Sequence, residues 1–143
     1  ERGRFRFSQL GKEHSWNLRL NDRIPMTLRI ETGASSNYLD ISSLKVTYLE
    51  LKAGASKNEI KFSSRDSIRA RIKAGVSRIK LFVPRSIGLR IEADTGLTIN
   101  NNLNKLGLLR QGNVYASRDY STAETRLDLE LDVGISSVTV ELY

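Results

Sequence analysis

Three carboxylates, Asp128, Glu130 and Asp132, alternate with Leu127, Leu129 and Leu131 in the stretch TRLDLELDVG. Carboxylate pairs at the right separation hydrolyse glycosidic bonds. Alternate residues of an extended strand share one face, however, so these three form an outward, solvated row rather than two walls of a cleft. His14 is the single histidine. It lies in the polar run GKEHS with no sequence partner for a nucleophilic triad or a metal cluster, and is expected to be a solvent-exposed imidazole. The chain has no cysteine, which removes disulfides, thiol nucleophiles and thiolate metal sites together. GLTINNNLNKLG, residues 96–107, is rich in Gly and Asn but lacks the Gly-x-x-x-x-Gly-Lys-Ser/Thr order of a phosphate loop, so a turn is expected there. No catalytic residue, cofactor or metal ligand is nominated, and the chain is not expected to be an enzyme.

Charge is the remaining chemical signal. The 143 residues carry a formal charge of +7. Residues 65–90 hold eight basic residues against Asp66 alone, whereas residues 91–143 hold four basic and eight acidic ones. Such blocks serve an anionic partner or pair with each other. Arg65, Arg69, Arg78 and Arg85 have no acidic neighbour one repeat away, which makes them candidate contacts for lipid headgroups or an anionic wall polymer. Single-stranded nucleic acid calls for interleaved aromatics, and only Phe82 is near, so nucleic acid is not the expected partner.

The elements that position these charges follow from a repeat. Gly33, Gly54, Gly75 and Gly96 are spaced 21 residues apart, and Gly134 follows 38 residues later, one period plus 17. A fixed period marks a repeat architecture. Around each glycine apolar residues alternate at period two, as in Leu49 and Leu51 before Gly54 and Ile60 and Phe62 after it, which predicts strand, Gly-centred bend, strand. At matching positions the outward residues change sign: Arg29, Glu50, Arg71, Glu92, then Glu31, Lys52, Lys73, Asp94, with Arg19, Asp40, Lys61 and Glu59, Lys80 beyond the bend. Opposite charges on adjacent strands stabilise a sheet. The alternation therefore favours a single-domain, all-β solenoid, right-handed and β-helix-like, over the alternative antiparallel sandwich. Lys52 beside Lys73 is the exception. Residues 1–23, with Phe5, Phe7, Gly11, Trp16, Leu18 and Leu20, are expected to form a capping rung, 24–96 the regular repeats, 97–124 an excursion and 125–143 the last rung. Segment 103–110 is the best helix candidate, weakened by Gly107.

The excursion contains Tyr115 and Tyr120 in GNVYASRDYSTAE. A long break in a regular repeat serves function or covers an otherwise open edge, and both expectations stand. The longest apolar runs are a few residues, so no helix within the chain spans a membrane. The opening ERGRFRF has neither Met nor a signal-peptide core, so the chain is expected to come from a longer or processed protein.

The ordered set WNLRLNDRIPMTLRIETGASSNYLDISSLKV (16–46), LELKAGAS, ARIKAGVSRIKLFVP, GLRIEADTGL and TRLDLELDVGISSVTVEL, with the Tyr-x-Ser-x-x-Tyr of 115–120, resembles the toastrack family. That family includes the C-terminal domain of LiaF-like, cell-wall-active-antibiotic response proteins. The resemblance implies a β-solenoid-like domain joined to membrane-spanning segments, with LiaF-like members restraining an envelope-stress two-component system, and it brings no catalytic motif. The functional expectation is a non-enzymatic interaction or scaffold module of the bacterial cell envelope, membrane-associated through a segment outside this chain, with a signalling protein as partner. The alternatives are binding of anionic lipid or wall polymer through a basic face, and a carbohydrate-active enzyme by analogy of fold. End-on stacking of terminal rungs would give a homo-oligomer.

Overall fold

The computed structural model describes residues 17–143, with the side chains of 95–100 set aside. Six strands build three rungs: β1 (Met26–Thr32) and β2 (Ser35–Asp40), β3 (Val46–Ala53) and β4 (Ser56–Lys61), β5 (Ile68–Ala74) and β6 (Ser77–Val83). β7 (Gly88–Asn101) and β10 (Arg126–Leu142) each run through the bend without a break, and between them lie a 3-10 turn (Leu103–Lys105) and two short strands, β8 (Leu109–Gln111) and β9 (Val114–Ala116). The rungs pair in parallel with Ile30 beside Leu51 and Leu51 beside Ile72. This is the 21-residue register, and it excludes the antiparallel sandwich.

Each rung places its apolar residues between two layers. Leu49, Leu51, Ile60, Phe62, Ile72, Leu81 and Leu129 are all at most 1% exposed, and shortening one such leucine to alanine costs about 2–5 kcal/mol in a close-packed core. At the N-terminal end of the stack, Met26, Leu28, Ile30 and Leu39 are only half-buried. The expected capping rung lies mostly outside the described residues. Its described part, 17–23, carries no strand, and Leu18 and Leu20 are exposed. Inside the stack the repeat also aligns polar residues: Asn37 Nδ2 donates to Asn58 Oδ1 at 2.7 Å, and Asn58 Nδ2 donates to Ser56 Oγ at 2.8 Å.

The order of the rungs departs from the order of the sequence. The Gly134 rung was expected to stack beyond the Gly96 rung, but β10 lies between β5 and β7 on one layer and beside β6 on the other. Arg71 therefore faces Glu130 rather than Glu92, and Lys73 faces Asp132 rather than Asp94. Two physical reasons are visible. On the first layer the outer edge of β7, where a sequential rung would pair, is taken at residues 90–92 by β9 running antiparallel, with Ile91 opposite Tyr115. In the row of Arg69, Asp128 and Arg90, insertion also puts the carboxylate between two guanidinium groups, whereas sequential stacking would set Arg69 beside Arg90.

Segment 103–110 is not a helix beyond its first turn. Gly107 adopts φ +71°, a conformation that side-chain-bearing residues resist, and the chain turns there into β8.

The corner glycines serve close approach rather than unusual dihedrals, since Gly33, Gly54, Gly75 and Gly134 all lack positive φ. A Cβ on Gly54 would lie 3.3 Å from the Gly33 carbonyl oxygen, one on Gly75 3.4 Å from that of Gly54, and one on Gly134 3.0 Å from that of Gly75. Gly33 has nothing within 4 Å of its Cβ position. Gly134→Ala should therefore destabilise the fold by about 1–3 kcal/mol, as overpacking does. Gly33→Ala should be neutral or stabilise by up to about 1 kcal/mol. Urea midpoints of the two variants, compared with the parent, check the contrast.

Candidate interaction surface

The six nominated residues are not brought to one place. Arg69 lies on the outer face of the first layer, in register between Tyr48 and Asp128, so the insertion of β10 gives it the acidic neighbour that the sequence order withheld. Arg78 lies on the outer face of the second layer, between Lys57 and Ser137, with no ion-pair partner among the described residues. Arg65 and Arg85 are exposed in connections. Arg65 Nη1 donates to the Ser43 carbonyl at 3.0 Å, and the Arg85 backbone N–H donates to the Tyr143 carbonyl at 2.7 Å.

Tyr115 is 6% exposed and packs with the core, with the Arg110 guanidinium 5.2 Å from its ring. Tyr120 is half-buried, and its hydroxyl donates to Asp128 Oδ2 at 3.2 Å. Asp128 Oδ1 accepts from Arg90 Nη1 at 2.9 Å, and Arg90 Nη2 reaches Glu92 at 3.2 Å. The bond to Asp128 holds the Arg90 guanidinium above its ordinary pKa. Burial, followed by the Asp128 charge, does the same for the Tyr120 phenol.

These contacts tie the excursion to the stack. Ser117 and Leu89 exchange two bonds, Ser117 N–H to the Leu89 carbonyl at 2.8 Å and Leu89 N–H to Ser117 Oγ at 2.9 Å. Gly88 admits the loop closely, because a Cβ there would lie 2.8 Å from that of Ala123. At the other end of the excursion the Asn102 amide pairs with both backbone groups of Val140, at 2.8 Å each, and so takes the place of a further strand. Leu103 is buried, with Leu106 and Leu108 packed against the core. The excursion thus lies against the end of the stack, over the first-layer half of β7.

The outer faces carry alternating charge. Arg29 pairs with Glu50 at 3.5 Å, Arg71 with Glu130 at 3.0 Å, Lys73 with Asp132 at 3.8 Å and Lys80 with Glu141 at 2.8 Å. The row of acids on β10 is the solvated face its spacing predicts, now matched to the basic row of β5. Insertion also leaves Glu130 beside Glu92 and Asp132 beside Asp94. Among the described residues no group of three or more His, Cys, Asp or Glu is placed to hold a metal ion, and no helix is long and apolar enough to cross a membrane. His14 lies outside the described residues. The sequence reading missed Asn102 and the Asn37–Asn58 pair. The pair had a signal in its 21-residue spacing, whereas Asn102 sits outside the repeat and had none.

The family model described as the N-terminal domain of toast_rack, DUF2154, matches residues 1–82. No curated protein matches the chain. A solved structure of a proposed cell adhesion protein from Clostridium sporogenes ATCC 15579 superposes with a TM-score of 0.76 at 22% identity over 87% of this chain. The matched region spans 58% of that longer chain.

Tyr120 gives a pH signature. A phenol whose folded pKa is raised contributes stability that is present below its unfolded value near 10 and is lost as pH rises beyond it. Tyr120→Phe should lower stability at pH 7 by about 1 kcal/mol. It should also lose less stability than the parent between about pH 9 and 11, as read by urea unfolding at each pH.

Proposed function

The chain belongs to the toast_rack family, and on that premise we propose that it acts by contact alone: a rigid interaction module of a membrane-linked bacterial envelope protein of the LiaF-like kind, restraining a signalling partner. The observation that carries this reading is the fate of the segment that breaks the repeat. Residues 102–125 are held against the end of the stack, through the Asn102–Val140 pair, the Ser117–Leu89 exchange and the Tyr120–Asp128 bond. A loop held at both ends is poorly suited to be a lid or a mobile reader. The surfaces left to a partner are the two outward sheet faces and the corners between them, which in-register pairing keeps rigid. Adhesion, the role proposed for the structural neighbour, is likewise a role by contact.

The partner would meet side chains in rows about 4.8 Å apart, the spacing of paired strands, so specificity would reside in the order of charges along a row. In the source bacterium, deleting the coding segment for residues 17–143 should raise the basal output of an envelope-stress reporter and blunt its further induction by a wall-active antibiotic. An unchanged reporter, before and during the challenge, would contradict the role.

A further inference from the structure

The second and third rungs carry nearly the same bend: Lys52-Ala-Gly-Ala-Ser-Lys57 and Lys73-Ala-Gly-Val-Ser-Arg78. Parallel pairing sets Lys52 beside Lys73 on one flank of the corner and Lys57 beside Arg78 on the other. The corner therefore carries two cation pairs, one on each flank. Like charges on adjacent strands cost stability, and internal relief is partial. Lys52 reaches Glu50 at 3.4 Å, Lys57 reaches Glu59 at 3.3 Å and Lys73 reaches Asp132 at 3.8 Å, while Arg78 has no acidic partner among the described residues.

An exposed apolar ridge runs between the two cation pairs. The glycines bring the corner backbones together, so the next residue of each rung points out with nothing to pack on. Ala55 is exposed and Val76 is 60% exposed. The pairings of Val133 with Ala74 and Ser136 with Ser77 place Ile135, 45% exposed, on the neighbouring rung. The flanks differ at the rungs on either side, where Glu31 and Ser36 bracket the first corner and Asp132 and Ser137 bracket the corner of β10. Among the described residues the basic–apolar–basic arrangement belongs to the second and third rungs.

We propose that this corner docks on a bilayer surface bearing anionic phospholipid headgroups, with Val76 and Ile135 entering the headgroup layer and Lys52, Lys57, Lys73 and Arg78 meeting the phosphates. The charges alone would suit any polyanion. The apolar ridge singles out the bilayer, because a dissolved polyanion offers it no apolar region in which to bury. The proposal goes beyond restraint of a signalling partner and does not depend on it. It also departs from the set Arg65, Arg69, Arg78 and Arg85, of which only Arg78 lies at this corner.

The test is co-sedimentation of the 143-residue chain with vesicles of equal phosphatidylglycerol and phosphatidylcholine, and with phosphatidylcholine alone. Binding is expected on the mixed vesicles only, weakening with salt. Each removed cation should lower the partition coefficient about fivefold, so Lys57→Ser with Arg78→Ser together should lower it about 25-fold. Val76→Ser should lower it severalfold while leaving any binding to soluble polyphosphate unchanged. Because the cation pairs repel, the double variant should keep the parent's urea midpoint. The proposal is overturned by no binding to mixed vesicles or equal binding to both kinds. It is also overturned if binding is indifferent to Val76→Ser, which would mark a plain anion site, or if loss of binding runs in parallel with loss of fold.

Discussion

The constraint on which the rest of the structure depends is the contact between backbones at the corner. Glycine carbonyls lie 3.0–3.4 Å from where the next glycine's Cβ would be at the steps from Gly33 to Gly54, Gly54 to Gly75 and Gly75 to Gly134, so the stacking of these rungs is fixed sterically at their corners. Once the corners are stacked, the two-residue alternation of each strand puts leucine, isoleucine and valine inward and charges outward without further choice. The same stacking aligns Asn37 with Asn58 inside and like or unlike charges outside. Stability comes from the interior and order from the surface. The apolar residues are nearly interchangeable from rung to rung, and half-exposed ion pairs contribute only about 0.2–1 kcal/mol each.

That division explains the place of β10. Its inward Leu127, Leu129 and Leu131 would be equally suited to several slots. What distinguishes the slots is the hairpin of β8 and β9 on the outer edge of β7, together with the row in which Asp128 separates Arg69 from Arg90. Half of the basic block of 65–90 is thus paired with acids of β10: Arg71 with Glu130, Lys73 with Asp132, Lys80 with Glu141 and Arg90 with Asp128. The excursion is the length of chain needed to leave β7, cover its edge and return on the inner side, and Tyr120 and Arg126 hold the return segment against Asp128 and the carbonyls of Ser121 and Ala123.

The period, the strands, the bends and the parallel register were legible because each rests on spacing. The rung order was not. Glu92 and Asp94 carry the same signs as Glu130 and Asp132, so either strand satisfies Arg71 and Lys73, and only the row of Arg90 and Asp128 tells them apart. The cap by Asn102 was hidden because one asparagine amide imitating a strand leaves no pattern. Tyr115, named from the sequence only as a residue of the excursion, is a core residue, and the sequence does not show this because a three-residue strand such as β9 is too short to show alternation. The exception to charge alternation, Lys52 beside Lys73, was visible from the start. Its counterpart, Lys57 beside Arg78, shows that the exception is a property of the corner.

Insertion of the last rung between the third and the fourth can be probed by cross-linking, which the absence of native cysteine makes clean. Adjacent rungs put outward Cα atoms about 4.8 Å apart, within disulfide reach, and next-but-one rungs about twice that, beyond it. The pair Arg71→Cys with Glu130→Cys should close an intramolecular disulfide under mild oxidation, and Arg71→Cys with Glu92→Cys should not. A disulfide between positions 71 and 92, with none between 71 and 130, would show instead that the rungs stack in the order of the sequence.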